Sequence, residues 1–113
     1  MILRTSLEEI PGHEVLLCPV CGFYYVHPIR VSVATGEDET IIDSEGTHVL
    51  RGGRTEEAMK ACSGRGVRII LEVGCENGHR GKIILQFHKG ITYVEYESHP
   101  NQDLLSWRTL WRD

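Results

Sequence analysis

Two short stretches, far apart in the chain, constrain its fold more than any other feature: Cys18-Pro19-Val20-Cys21-Gly22 and Cys75-Glu76-Asn77-Gly78-His79. Two thiols separated by two residues can ligate one Zn²⁺ when the chain turns tightly between them. Pro19 stiffens such a turn, and Gly22 stands where a positive φ lets backbone amides point back at the sulfurs. In the second stretch Asn77-Gly78 is a strong turn pair, able to bring the Cys75 thiol and the His79 imidazole onto the same ion. The expectation is a closed site of Cys18, Cys21, Cys75 and His79 holding one structural Zn²⁺ per chain.

Cys62 competes for the fourth position, since Cys18, Cys21, Cys62 and Cys75 would use every thiol in the chain. It lies thirteen residues before Cys75 in a glycine-flanked segment, where holding a ligand costs more chain entropy. His79 closes a small chelate ring through a turn that is already favoured, so the balance falls on His79. Among the other histidines, His27 reads as a partly buried strand residue and His88 as part of a hairpin turn. His13, His48 and His99 have no partner at informative spacing.

The rest of the chain reads as mainly β. At 113 residues, 41% of them hydrophobic and 25% charged, one globular domain with a modest core is expected. A metal clip would help so short a chain stay folded. Ser6-Leu7-Glu8-Glu9 has the spacing of a capping box, but Pro11-Gly12 would limit it to a helix of one or two turns, or to a simple turn. His13–Leu17 reads as a strand delivering Cys18. Phe23–Val33 alternates as a strand in which Pro28 marks an edge position or a bulge. Thr40–Asp43 and Thr47–Arg51 read as short strands joined at Ser44-Glu45-Gly46.

Gly52–Gly66 is expected to be mostly irregular with one helical turn, Thr55 being a possible N-cap. Val67–Val73 is a strand ending at Gly74-Cys75. Lys82–His88 and Ile91–Glu97 form a hairpin about Lys89-Gly90. Leu104, Trp107 and Trp111 share a stripe at helical spacing, which predicts a short C-terminal helix over about 101–111 beyond a core of about 13–97.

With those pieces assembled, the chain resembles zinc-ribbon proteins of the Cys-Pro-x-Cys-Gly type. More narrowly, it is similar to small uncharacterised bacterial and phage proteins with that knuckle, a later Cys-Glu knuckle and a His-Lys-Gly hairpin turn, here Cys18–Gly22, Cys75-Glu76 and His88-Lys89-Gly90. The likeness spans about residues 15–97. It implies a small antiparallel sheet built on a zinc ribbon and a structural metal, and it carries over no catalytic residues. Two departures stand out: Gly78 occupies the place of a second Cys-x-x-Cys thiol, and the interval from Cys21 to Cys75 requires inserted strands.

Four ligands in two knuckles describe a closed site, whereas catalytic zinc usually keeps an open position. The His-x-Glu of zinc deaminases is missing before the Cys pair. A redox role would want Cys18 at a helix N-terminus, and strands flank it instead. The chain is therefore read as a non-enzyme. No apolar run approaches the ~18–20 residues of a membrane span, and the N-terminus lacks a basic-then-apolar signal. Reduced cytoplasmic thiols are the expectation.

Two functions fit. The first is a metal-stabilised module that binds a protein partner, with self-association through the Trp107/Trp111 helix as a variant. The second is a nucleic-acid-binding ribbon. The formal charge of −4 opposes the second, yet residues 51–89 carry +4 against −8 elsewhere. Arg51, Arg54, Arg65, Arg68, Arg80 and Lys82 could meet phosphates, and Phe23, Tyr24 and Tyr25 could stack on bases.

Overall fold

The computed structural model describes residues 4–7, 12–64 and 66–99. In chain order the elements are β1 (Arg4–Leu7), β2 (Glu14–Leu17), β3 (Val26–Ala34), β4 (Asp38–Asp43), β5 (Gly46–Arg51), α1 (Glu56–Gly64), β6 (Arg68–Cys75), β7 (Arg80–His88) and β8 (Ile91–Ser98). The protein is mainly β, as its alternating runs require. β1 and β2 form a two-stranded antiparallel pair, and the other strands form a six-stranded antiparallel sheet in the order β5-β4-β3-β6-β7-β8. No helix among the described residues is long and apolar enough to cross a membrane.

Turn chemistry fixes the register. Lys89 at φ 50° and Gly90 at φ 80° are both left-handed, as a two-residue hairpin loop with the sheet's own twist demands. That turn sets His88 opposite Ile91 and carries the pairing to Gly81 opposite Ser98. At the other end of the sheet, the Glu45 amide donates to Asp43 Oδ1 at 2.9 Å and closes the turn between β4 and β5.

Pro28 does mark a bulge. The β3–β6 register slips between Pro28 and Arg30, and Val26–Pro28 pair with β6 alone, β4 joining only from Val31. The missing proline N–H therefore costs no ladder bond. The slip also breaks the simple alternation read from Phe23 to Val33. Ile29 is buried at the bulge, and beyond it Ser32 and Ala34 turn inward while Val33 turns out.

Two expectations are corrected. The 52–66 segment is no irregular excursion, because α1 occupies Glu56–Gly64. Thr55 Oγ1 accepts from the Ala58 amide at 3.0 Å, a working N-cap, and Ala58 and Ala61 are fully buried against the sheet. Tertiary packing of two small residues stabilises a helix too short to stand alone. At the N-terminus, Ser6 and Leu7 lie in β1, opposite Val15 and Glu14. Pairing with β2 supplies the backbone partners that a capping box would otherwise provide. The helix expected over 101–111, with Trp107 and Trp111, lies outside the described residues.

α1 packs on one face of the large sheet, against β3, β4, β6 and β7. Beneath it Ile70 and Ile84 are buried, and so are the charged groups Glu39, Arg68 and Glu72 of the sheet and Glu57 of α1 itself. Buried charges persist only when paired and hydrogen-bonded. Arg68 Nε donates to Glu57 at 2.6 Å, Arg80 Nε donates to Glu72 at 3.0 Å, and Ser32 Oγ donates to Glu39 at 2.6 Å.

Candidate metal centre

Both knuckles stand where one strand ends and the next begins. β2 delivers Cys18, whose amide donates to the Phe23 carbonyl at 2.9 Å while its own carbonyl accepts from Gly22 at 2.9 Å. Gly22 sits at φ 76°, the left-handed conformation expected of it. The Val20 amide points back at Cys18 Sγ, 3.4 Å away. The second turn repeats this logic: the Cys75 amide donates to the His79 carbonyl at 2.8 Å, and the Gly78 amide to the Cys75 carbonyl at 2.9 Å. Gly78 takes φ 100°.

The β3–β6 pairing brings the two turns together. Val26 lies opposite Cys75, and the Glu76 amide donates to the Tyr25 carbonyl at 3.2 Å. As a result, the ligand atoms of Cys18, Cys21, Cys75 and His79 all lie within 4.8 Å of one another, and the four residues could hold a metal ion. Cys21 Sγ is 3.7 Å from Cys75 Sγ, and His79 Nδ1 is 3.4 Å from Cys75 Sγ. A tetrahedral ion with bonds of about 2.3 Å to sulfur and about 2.0 Å to nitrogen sets edges of about 3.8 and about 3.5 Å. The spacing fits. Cys62 is exposed on α1 and stands outside this group, so it is His79 that the fold brings to the three thiols.

Comparison of the chain with protein-family models, curated proteins and solved structures gave no match. The site is therefore read from its own chemistry.

The cluster is asymmetric. Cys18 and Cys75 are buried, at 2% and 1% exposure, whereas Cys21 faces solvent. Desolvation dominates at Cys75 and pushes its thiol up to about 11, against the pull of the His79 and Asn77 amides. At Cys21 desolvation also opposes ionisation. There the hydrogen bonds from the Phe23 backbone, the Asn77 side chain and the neighbouring thiols outweigh it and bring the thiol down to about 6. A cation would compensate the thiolate charge that this crowding concentrates.

Asn77 was legible only as a turn residue, yet its Nδ2 also lies 3.8 Å from Cys21 Sγ. That reach depends on the register joining the knuckles, which no local pattern reveals. Tyr96 on β8 is a second neighbour: burial raises its pKa, and the sulfurs of Cys18, Cys75 and Cys21 add to the effect. A Cβ at Gly81 would overlap the Tyr96 hydroxyl and ring, so the glycine leaves room for that ring.

The remaining candidates separate cleanly. His27 Nε2 pairs with Glu76 at 3.2 Å, and His48 Nε2 with Asp43 at 3.2 Å. Of the cations offered for phosphate contact, Arg68 and Lys82 meet Glu57 at 2.6 and 3.5 Å. Arg80 meets Glu72 at 2.9 Å, and Arg51 meets Asp38 at 3.4 Å. Arg65 lies outside the described residues, and Arg54 is exposed. The aromatics beside the first knuckle are not core. Phe23 and Tyr25 meet edge to face at 5.5 Å, and Tyr24 and Tyr25 are 61% and 59% exposed.

Proposed function

We propose that Cys18, Cys21, Cys75 and His79 bind one structural Zn²⁺, and that the protein is a cytoplasmic, non-catalytic zinc-ribbon module that docks on a protein partner. The observation carrying the reading is the cluster itself: three sulfurs and one imidazole nitrogen all within 4.8 Å of one another, a donor set that suits zinc and, with all four bound, would leave no position for substrate. The ion joins the β2–β3 turn to the β6–β7 turn, closing a loop of more than half the chain. Loop closure of that length gives a large entropic stabilisation.

The docking surface in this reading is the patch beside the clasp. Val20, Tyr24 and Tyr25 are exposed together, and exposed tyrosines are frequent anchors at protein interfaces. The patch lies in the turn between β2 and β3, and a metal pinning that turn would lower the entropy cost of binding.

Elemental analysis and native mass measurement of untagged protein should give one zinc per chain. Chelation should lower the unfolding midpoint. Tyr24→Ser with Tyr25→Ser should keep the metal and the midpoint while abolishing capture of a partner from native-host extract. A protein purified without metal, or one whose stability ignores chelation, would overturn the clasp. Undiminished capture by the tyrosine variant would overturn the patch.

The alternative, a nucleic-acid-binding ribbon, draws on the same exposed tyrosines. Its weakness is electrostatic, because the basic segment spends Arg51, Arg68, Arg80 and Lys82 on the protein's own carboxylates.

A further inference from the structure

β5 forms one edge of the large sheet and β8 the other. Along β5 the pairing with β4 decides which backbone groups are already bonded. Asp43 lies opposite Gly46, and past the strand's end the Gly52 amide donates to the Glu37 carbonyl at 2.8 Å. Bonded pairs recur at every second residue of an antiparallel ladder, so Gly46, His48 and Leu50 bond inward to β4. Thr47, Val49 and Arg51 therefore turn their N–H and C=O groups outward, where no strand meets them among the described residues. Every residue of β5 is exposed. Natural edges are usually blunted by proline, lysine or a bulge. Gly46–Arg51 has none of these, and its register with β4 runs unbroken.

We propose that β5 pairs antiparallel with β5 of a second copy of the chain, about a two-fold axis at Val49. Backbone geometry is the first reason. Centring on Val49 sets Thr47 opposite Arg51 of the partner subunit and Val49 opposite its own equivalent. Each such pair exchanges both of its backbone bonds, so every outward group of β5 is satisfied at once and the assembly closes. Charge is the second reason. The acidic turn Asp43-Ser44-Glu45 precedes the strand, whereas Arg51 ends it and the exposed Arg54 follows. Antiparallel pairing lays the acidic turn of each copy beside the basic end of the other, and parallel pairing would set like against like. The third reason is apolar cover. Val49 and Leu50 are 47% and 45% exposed; Val49 meets its equivalent on one face, and Leu50 meets the partner's His48 on the other. β8 is a poorer edge for self-pairing. The His99 amide bonds the Arg80 carbonyl and His88 faces Ile91, so Thr92, Val94, Tyr96 and Ser98 are its outward residues. They centre on Glu95, which would then stand against Glu95 of the partner subunit. The proposal stands apart from the clasp, because none of the four ligands lies on β5.

Sedimentation velocity of the full-length protein across a wide dilution series should show a monomer–dimer equilibrium. Val49→Pro removes an outward N–H and leaves the β4 ladder intact. It should hold the protein monomeric at every concentration, with circular dichroism unchanged. Val94→Pro, the matching change on the β8 edge, should leave the equilibrium as it was. Glu45→Arg and Arg54→Glu should each weaken the dimer several-fold, and an equimolar mixture of the two should restore it, because each acid then faces an arginine again. That charge swap decides the matter if Val49→Pro fails to fold. A protein that stays monomeric at the highest concentration overturns the proposal. So does a dimer that survives folded Val49→Pro, or a mixture that associates no better than either variant alone. Filaments broken by either proline would pair β5 with β8 of the partner subunit, head to tail, and overturn it as well.

Discussion

Arg68 on β6 donates its Nε to Glu57 on α1 at 2.6 Å, with both side chains nearly out of water. The contact runs from the middle of the sheet to the first turn of the helix, so it sets where α1 sits. Removing one member leaves the other charge buried, which typically costs about 3–5 kcal/mol. Arg68→Met should therefore fall near the bottom of that range, since Lys82 Nζ still stands 3.5 Å from Glu57. Replacing both, Arg68→Met with Glu57→Leu, should recover most of the loss. A denaturant-unfolding double-mutant cycle measures the coupling; additive losses would mean that the pair does not hold the helix.

The ligand assignment makes a sharp contrast between two residues. His79→Ala should release the metal and lower the unfolding midpoint, whereas Cys62→Ala should change metal content by nothing measurable and stability by well under the about 1 kcal/mol typical of a point substitution. Cys62 lies on the exposed side of α1, and its Cβ would stand 3.4 Å from a Cβ built at Gly36. Elemental analysis of the two variants reads the outcome directly. Metal loss from Cys62→Ala would reverse the assignment.

Thiol chemistry gives an independent check. With the metal bound, Cys18, Cys21 and Cys75 are occupied as ligands, and Cys62 is the exposed thiol left to react. Iodoacetamide should therefore add one group per chain, and peptide mapping should place it on Cys62. After a strong chelator, three further sites should label. Alkylation of Cys21 at full metal occupancy would show that its sulfur is not a ligand.

Gly81 offers a test of how the clasp is supported. A methyl there would meet the Tyr96 ring and the Glu97 carbonyl, and overpacking of this sort costs about 1–3 kcal/mol. Gly81→Ala should lower the unfolding midpoint, and adding Tyr96→Leu should return part of the loss. No recovery would place the strain in the backbone contact alone.

Legibility followed the range of each interaction. The β7–β8 hairpin and both knuckles are encoded locally, by Lys89-Gly90, Gly22 and Asn77-Gly78, and each could be read from a few adjacent residues. His79 was readable for the same reason: the turn that delivers it lies within its own pentapeptide. α1 was not, because Ala58 and Ala61 stabilise it only through a sheet assembled from distant strands. Ser6-Leu7-Glu8-Glu9 misled in the opposite direction, since at Ser6 and Leu7 a local helix signal yields to a partner strand seven to nine residues on. The bulge at Pro28 was legible as an alternative, but its effect on which side chains face inward depends on where β4 begins to pair.

The fate of the basic segment leads to the last prediction. Residues 51–89 carry a surplus of positive charge in sequence, yet in the fold Arg51, Arg68, Arg80 and Lys82 each meet a carboxylate within 4 Å. Arg68 and Arg80 are also shielded, their side chains 6% and 15% exposed. A phosphate could recruit them only by displacing Glu57 or Glu72 from a pair already desolvated, and the abandoned carboxylate would then repel the incoming anion. Mixed-sequence single-stranded and duplex DNA should accordingly show no binding in fluorescence anisotropy at low salt. A ribbon that engaged six to ten phosphates would instead bind at about 50 mM salt and lose roughly 10³–10⁵ in affinity by about 200 mM. That steep decline, weakened by Arg54→Ala or by Tyr24→Ser with Tyr25→Ser, would replace the protein-docking reading with a nucleic-acid one.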